Sequence, residues 1–361
     1  MTSGSFAPLT FTYDPINKID LDVYLPTNNA IQGDRVDVDI KSLPALIFFH
    51  GGGLTSGSKK DLYFPTYLME QCLSKNIIFI AANYRLLLPL SGIDVLQDVE
   101  TLFSYLSSSS TELVSSLQTR GFKLNHERLG VVGVSGGDYL ARASIVLPPS
   151  KIPETVRPKV YVDLYGMGGD WLLDHWIKAK PSMPNLVGTP YDLNKVERIL
   201  ADVQQGKEGV KSESPIQFGG DDQGRLGFLN HWYKTGEYVD HLLDEPGLSR
   251  RLELLPYEER FEAIPQDKKW LLLPLEKDRL YPKTMIIHGE KDNLVPVDVS
   301  KQLQKDLESL GDNVLEIQAI YPKDAGHGLL DVGKFPNIVP IPEITEIFDR
   351  FVDFVSDALK E

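Results

Sequence analysis

The short stretch "GVSGG", residues 133–137, carries a candidate nucleophile. It places Ser135 between two glycines in the pattern Gly-x-Ser-x-Gly, in which a serine sits on a sharp strand-to-helix turn with its Oγ exposed. The apolar run "RLGVVGV" before the serine predicts a buried strand, and "YLARASIVL" after it predicts a helix. This is the context that the pattern requires, and the positive end of the helix dipole would lie beside the serine.

A nucleophilic serine needs a base, and the base needs a carboxylate that orients it. Two predicted strands near the end of the chain supply candidates for both. "HGEKDNLVP" begins at the end of the first strand and offers Asp292, and "PKDAGHG" follows the second and offers His327. Ligands bind at the carboxyl ends of the strands in open parallel sheets. Glu290 is a rival acid, but it lies closer to the strand end, so we prefer Asp292.

Among the seven histidines, only His327 lies in a loop of this kind after the last predicted strand. We expect His288, beside Gly289, to pack structurally and His126 to lie at the surface. His50 is expected to fix its own loop by hydrogen bonds, and it is not proposed as the general base. The remaining histidines belong to an irregular region of the chain: His175, His231 and His241.

The stretch "HGGGLTSGS", residues 50–58, places three consecutive glycines directly after the apolar run "LIFF". Glycine clusters are common in turns, but three in a row at the end of a buried strand also let a ligand approach the bare backbone. Acyl transfer builds negative charge on a carbonyl oxygen, and backbone N–H groups can stabilise it. The stretch therefore predicts an oxyanion-binding loop, with Leu54 as a candidate substrate contact.

Strands and helices alternate along the chain, which favours an α/β fold with a mostly parallel sheet flanked by helices. Near-continuous apolar runs are typical of strands that are buried on both faces. Two short strands are expected within 9–25. Further strands are predicted at 44–50, 76–84, 128–134, 159–166, 283–289 and 313–321, and helices at 63–75, 94–106, 139–147, 299–311 and 343–359.

The alternation stops between 167 and 281, a region that contains all four tryptophans. We predict that this region is an insertion between two sheet strands, and that residues 1–166 and 282–361 form the core. Trp171 and Trp232 could line an acyl or aromatic pocket, but most of the aromatic side chains are expected to form the insertion's own small core.

Composition limits the classes of function. The chain of 361 residues has 51 acidic and 37 basic residues and a formal net charge of −14, which disfavours nucleic acid and anionic membranes as partners. The single cysteine, Cys72, excludes an internal disulfide and cysteine-rich zinc sites. The first residues lack the basic and apolar regions of a signal peptide, and no run is long enough to span a membrane. We expect a cytoplasmic protein.

Taken together, the stretches "HGGGL", "NYRLLLP", "GVSGGDYLA", "HGEKDNLVP" and "AGHG" resemble the hormone-sensitive-lipase-like branch of the α/β-hydrolases, in its fungal style. The resemblance covers about residues 40–166 and 282–360. It implies an α/β-hydrolase fold with a helical cap over the site, Ser135 as nucleophile, His327 as base and Asp292 as acid. The oxyanion donors that it implies are the N–H groups of Gly52, Gly53 and Gly136. Members commonly hydrolyse carboxylic esters without a metal or an organic cofactor.

Asp138 departs from the family pattern, because many relatives have glycine at that position. An acidic residue is favourable in the first turn of a helix, but near a forming oxyanion its charge is unfavourable unless it is turned away or paired. Asp138 is therefore either a helix-start residue or a contact for a special substrate.

The leading interpretation is a serine carboxylester hydrolase that acts on a small-molecule ester. Asp138 and the aromatic insertion leave open a lactonase, amidase, transacylase or biosynthetic cyclase on the same scaffold. A non-catalytic small-molecule receptor is disfavoured because all three triad positions are intact. No cofactor and no metal are expected. The last strand and the final helix could form the surface of a homodimer.

Overall fold

The computed structural model describes residues 7–27, 40–61, 63–182, 192–216, 225–334, 337 and 339–360. Its centre is an eight-stranded sheet with the strand order β1-β2-β4-β3-β5-β6-β7-β8. The strands are β1 (Leu9–Asp14), β2 (Ile19–Tyr24), β3 (Lys41–Phe49), β4 (Ile78–Ala82), β5 (Phe122–Val134), β6 (Val160–Leu164), β7 (Lys283–Ile287) and β8 (Ile317–Ile320). The β1–β2 and β2–β4 pairs are antiparallel, and all pairs from β4 to β8 are parallel. The α/β architecture and the mostly parallel sheet predicted from the sequence are confirmed.

Helices cover both faces of this sheet, which explains why its inner strands are apolar throughout. The described α-helices are α1 (Thr66–Ser74), α2 (Gly92–Ser107), α3 (Glu112–Gln118), α4 (Asp138–Val146), α5 (Asp174–Ile177), α6 (Leu193–Gln204), α7 (Leu226–Thr235), α8 (Tyr238–Leu243), α9 (Leu248–Glu253), α10 (Tyr257–Arg260), α11 (Val297–Glu308) and α12 (Ile344–Ala358). Successive residues of β3 point to opposite faces. Accordingly, Ile47 packs in the core on the side of α2 and α4, and Phe48 packs in the core on the side of α1 and α12.

The strands β6 and β7 are neighbours in the sheet, yet α5 to α10 lie between them in sequence. None of the described residues of this inserted segment (167–281) belongs to the sheet. Trp171, Trp176 and Trp232 are buried in it, whereas Trp270 is half exposed. The segment buries its own aromatic side chains, as the sequence suggested for most of them.

Two local expectations differ from the structure. The last strand was expected over 313–321, but β8 covers only Ile317–Ile320, because a 3₁₀ turn ends at Asn313 and Val314 makes only an isolated bridge to Tyr281. The strand before Ser135 was expected over 128–134, but β5 begins earlier and covers Phe122–Val134. The serine-rich stretch 107–116 lies outside the sheet. It closes α2 and then begins the separate helix α3, where the Thr111 hydroxyl accepts a hydrogen bond from the N–H of Val114.

In the part of the chain that the structure describes, no helix is both long and apolar enough to cross a membrane.

Candidate active site

The turn that follows β5 holds Ser135 in a strained conformation. Its φ is +53°, a value that residues other than glycine rarely adopt. The flanking glycines are required by close packing. A Cβ at Gly133 would lie 2.2 Å from Cα of Asp138, and a Cβ at Gly137 would lie 2.2 Å from the carbonyl oxygen of Phe49. The turn therefore presses α4 against β3 and β5 and presents Ser135 beyond the end of the strand.

Three residues from distant parts of the chain meet at this turn. Nε2 of His327 lies 3.0 Å from Oγ of Ser135, and its Nδ1 lies 2.7 Å from Oδ2 of Asp292. A carboxylate only accepts hydrogen bonds, so Nδ1 donates and Nε2 presents its lone pair to the serine hydroxyl. The structure thus brings together Ser135, Asp292 and His327. Glu290 is exposed, and its Oε1 lies 4.0 Å from Nζ of Lys301.

Asp292 is held on both of its oxygens. Oδ1 accepts hydrogen bonds of 2.9 Å from the N–H groups of Leu294 and Val295. Oδ2 lies 2.7 Å from His327 and 3.2 Å from Nε2 of His288. Burial alone raises the pKa of this carboxyl, but the charge of His327 and the hydrogen bonds from both histidines outweigh burial and hold the pKa well below its usual range. Asp292 is therefore ionised at neutral pH.

His288 is a contact of Asp292 that the sequence analysis missed. It was expected to pack structurally, and it is indeed fully buried, but one of its nitrogens reaches the carboxylate that His327 also contacts. The sequence signal for this contact was the four-residue spacing of His288 and Asp292 in "HGEKD". The turn after β7 brings the side chains of these two residues together.

The glycine loop after β3 approaches the serine turn closely. Gly52 and Gly53 have φ values of +102° and +60°, which favour glycine. A Cβ at Gly136 would lie 2.6 Å from the backbone nitrogen of Leu54 and 2.8 Å from that of Gly53. Within the described ranges of the chain, no acceptor is found for the N–H groups of Gly53 and Leu54. These donors are therefore available beside Ser135.

Side chains from several elements fix this loop. The ring of His50 stacks on Tyr84, with ring centroids 4.3 Å apart, and Nδ1 of His50 lies 2.8 Å from the Gly51 carbonyl oxygen. The Tyr84 hydroxyl donates to the His50 carbonyl at 2.8 Å. From the inserted segment, Nε of Arg225 donates to the Thr55 carbonyl at 2.9 Å. These hydrogen bonds hold the loop through its own carbonyl oxygens. In the described chain the N–H groups of Gly53 and Leu54 have no acceptor.

Comparisons with known proteins identify what the chain is similar to. The BD-FAE family model matches residues 21–158, from β2 through the serine turn. The probable carboxylesterase M8 of a Phoma species is 28% identical over 278 residues, which cover 73% of this chain and 73% of that protein. An α/β-hydrolase superfamily protein from Enterococcus faecalis has a TM-score of 0.60 and 18% identity, covering 98% of this chain and 100% of that one. The chain has the α/β-hydrolase fold and is similar to esterases.

A structure from a study of two fungal esterases of Rhizomucor miehei shares the fold of this α/β-hydrolase. It has a TM-score of 0.55 and 17% identity, and the match covers 98% of this chain and 82% of that one. At these identities the structural likeness establishes the fold. The α/β-hydrolase architecture predicted from the motifs is therefore confirmed.

Asp138 of this α/β-hydrolase points into the protein. It is fully buried; Oδ1 accepts a 2.7 Å hydrogen bond from the Tyr161 hydroxyl, and Oδ2 accepts a 3.0 Å bond from the Gly168 N–H. Burial and the charge of Asp163 raise the pKa of Asp138 well above its usual value. Gly166 makes room for it, since a Cβ there would lie 2.3 Å from Oδ2. With both oxygens bonded, Asp138 has no exposed surface for a substrate.

The other three candidate substrate contacts are equally enclosed. Leu54 and Trp232 are 0% exposed and Trp171 is 2% exposed. Trp171 stacks on Tyr238 with ring centroids 5.5 Å apart, and Trp232 stacks on His241 at 4.0 Å. These contacts give the two tryptophans a packing role. Among the described residues, no group of three or more His, Cys, Asp or Glu side chains is arranged to hold a metal ion.

Proposed function

We propose that this α/β-hydrolase cleaves small carboxylic esters through an acyl-enzyme on Ser135. The observation that carries the proposal is the chain of contacts at 3.0 Å and 2.7 Å that links Ser135, His327 and Asp292. Ester hydrolysis as the general reaction is supported by the fungal carboxylesterase relative and by the esterase neighbours.

In the first half of the reaction, Ser135 Oγ attacks the ester carbonyl carbon while its proton passes to Nε2 of His327. The C=O bond opens to an oxyanion, which the N–H groups of Gly52, Gly53 and Gly136 stabilise. The intermediate then collapses, and His327 gives its proton to the departing alkoxide, which leaves as the alcohol. In the second half, water attacks the acyl-enzyme by the same route and releases the acid and free Ser135. Asp292 holds Nδ1–H of His327 throughout.

We also propose that the inserted segment (167–281) acts as the cap over this site. This is supported by the close contact of Leu229 with Gly53, where an added Cβ would lie 2.4 Å from Leu229 Cδ1. Ser135 is only 8% exposed, so the serine hydroxyl is enclosed. This enclosure also supports the alternative that the acyl group passes to an acceptor other than water, as in a transacylase or cyclase.

Hydrolysis of p-nitrophenyl esters from acetate to decanoate tests the proposal. We expect serine-dependent turnover with an optimum chain length, and Ser135→Ala should abolish it. Turnover that survives in the folded Ser135→Ala variant would refute the mechanism. If the wild-type protein releases p-nitrophenol only once per protein molecule and Ser135 then stays acylated in water, the alternative of transfer to another acceptor is favoured.

A further inference from the structure

A second histidine lies behind the proposed triad, in a buried chain of polar groups that runs from Asp292 to β6. We infer that His288 is a positioning residue that shares Oδ2 of Asp292 with His327, and that it is an imidazolium kept charged by Asp163 through the hydroxyl of Ser300. This inference rests on the proposed function, because it concerns how the acid of the triad is held.

The contacts of Nε2 fix one proton of His288. Nε2 lies 2.9 Å from the carbonyl oxygen of Val295 and 3.2 Å from Oδ2 of Asp292. A carbonyl oxygen accepts hydrogen bonds and cannot donate them, and Asp292 is ionised. Nε2 must therefore carry a hydrogen, which it shares between these two acceptors.

The contacts of Nδ1 require a further proton. Nδ1 lies 2.8 Å from Oγ of Ser300, and that oxygen lies 2.6 Å from Oδ2 of Asp163. The serine has a single proton to donate. If it donates to Asp163, Nδ1 must donate to the serine and His288 is an imidazolium. If it donates to Nδ1, Asp163 must itself be protonated. Either arrangement contains one more proton than an ionised Asp163 together with a neutral His288 would.

The surrounding charges favour the imidazolium. His288 and Ser300 are 0% exposed and Asp163 is 1% exposed, so solvent does not screen them. Burial lowers the pKa of His288, but the hydrogen bond and charge of Asp292, together with the charge of Asp163, outweigh it and raise the pKa. Burial raises the pKa of Asp163, but the charge of His288, the Ser300 hydroxyl and a 2.7 Å hydrogen bond from the Gly166 N–H to Oδ1 all stabilise its ionised form. The other ionisable groups around this chain are Arg142, Asp138 and Tyr321.

A positive charge at His288 has a consequence for catalysis. The negative charge of Asp292 lies beside the ring of His327, with Oδ2 2.7 Å from Nδ1. An imidazolium 3.2 Å from the same oxygen offsets part of this charge. His288 thereby weakens the field of Asp292 at the proposed base, and it fixes the position of Oδ2 at the same time.

The variant Ser300→Ala tests this inference through the pH dependence of kcat/KM. Without the hydroxyl, Nδ1 of His288 loses the acceptor that it has among the described residues, and the ring becomes neutral. We expect the midpoint of the acid limb to rise by about half a pH unit, which corresponds to a loss of roughly threefold in kcat/KM on that limb. Ser356→Ala, a buried serine on α12, is the matched control and should leave the midpoint unchanged. An unchanged midpoint in folded Ser300→Ala would overturn the inference.

Nitrogen NMR of histidine-labelled protein gives a second reading that does not depend on activity. We expect both ring nitrogens of His288 to be protonated at pH 7 in the wild type, with the signals assigned by their loss in His288→Gln. In Ser300→Ala only Nε2 should keep its proton. A neutral His288 ring in the wild type would overturn the inference even if the esterase proposal holds. An inactive wild-type protein with a protonated His288 would instead refute the proposed function alone.

Discussion

The hydroxyl of Tyr238, on α8, donates a hydrogen bond to the carbonyl oxygen of Gly53 in the glycine loop. This bond joins the inserted segment to the loop whose N–H groups face Ser135. Tyr238 is itself packed between Trp171 and Trp232, with ring centroids 5.5 Å and 5.4 Å away. The aromatic cluster of the insertion therefore fixes the orientation of the Gly53–Leu54 peptide group, which directly follows the proposed donor N–H of Gly53.

Removing this hydroxyl should impair catalysis more than binding. In Tyr238→Phe the Gly53 carbonyl loses its partner, so the adjacent N–H groups are less well oriented toward the oxyanion. We expect kcat to fall about tenfold with little change in KM, measured on the preferred p-nitrophenyl ester. The control is Tyr13→Phe. It removes a buried hydroxyl on β1 that donates a 2.7 Å hydrogen bond to the Asn83 carbonyl. Equal effects of the two variants would contradict this role.

Glycine at position 136 should be required for the close approach of the loop. In Gly136→Ala the new Cβ would lie 2.6 Å from the Leu54 nitrogen, so the loop must shift away from Ser135. We expect kcat to fall about ten- to a hundredfold while the thermal unfolding temperature changes little. Gly209→Ala, where a Cβ meets no atom within 4 Å, should be silent. Full activity in Gly136→Ala would show that the loop does not contribute.

Asp138 should affect stability and leave substrate preference unchanged. Asp138→Gly leaves the Tyr161 hydroxyl and the Gly168 N–H without their acceptor, which costs about 3 kcal/mol of the free energy of unfolding. Asp138→Asn keeps one acceptor oxygen and should cost less. Denaturant unfolding and the ester series measure the two effects. A changed substrate preference in a fully stable Asp138→Gly variant would restore the idea that this residue contacts substrate.

Acid should destabilise the fold partly through His241. Burial lowers its pKa to about 4, below the usual value of about 6.5. Because the pKa of His241 is lower in the folded state than in the unfolded state, neutral His241 stabilises the fold above about pH 6.5. This stabilisation is lost as the pH falls toward 4. In His241→Phe the stacking on Trp232 is kept and the titration is removed. Between pH 7.5 and 5 we expect the variant to lose about 2 kcal/mol less unfolding free energy than the wild type. Parallel losses would contradict this assignment.

The sequence allowed the sheet and the triad to be predicted because their signals are local. Apolar runs mark strands buried on both faces, and Ser135 and Asp292 each follow such a strand, whereas His327 follows the half-buried edge strand β8. The parallel sheet then brings the three loops to one edge. The sequence could not decide between Glu290 and Asp292 as the acid of the triad. The geometry of the turn after β7 determines which of the two carboxylates reaches His327.

The orientation of side chains could not be predicted in the same way. Asp138 lies in the first turn of a helix in either interpretation, and only the bare backbones of Gly166 and Gly168 show that its carboxyl turns inward. His288 was expected to pack structurally because its polar contacts could not be foreseen. Its partner Ser300 comes from α11, and Asp163, which Ser300 contacts in turn, comes from β6. Contacts between such distant segments leave no periodic pattern in one sequence.

Covalent labelling tests the central claim most directly. The protein should be treated with a fluorophosphonate, and its intact mass and peptides should be compared with those of Ser135→Ala and of His327→Ala. We predict a single adduct on Ser135 in the wild type, none in Ser135→Ala, and labelling slowed by at least about a hundredfold in His327→Ala. An unlabelled Ser135 in the folded wild-type protein, or an adduct on another residue, would contradict the account.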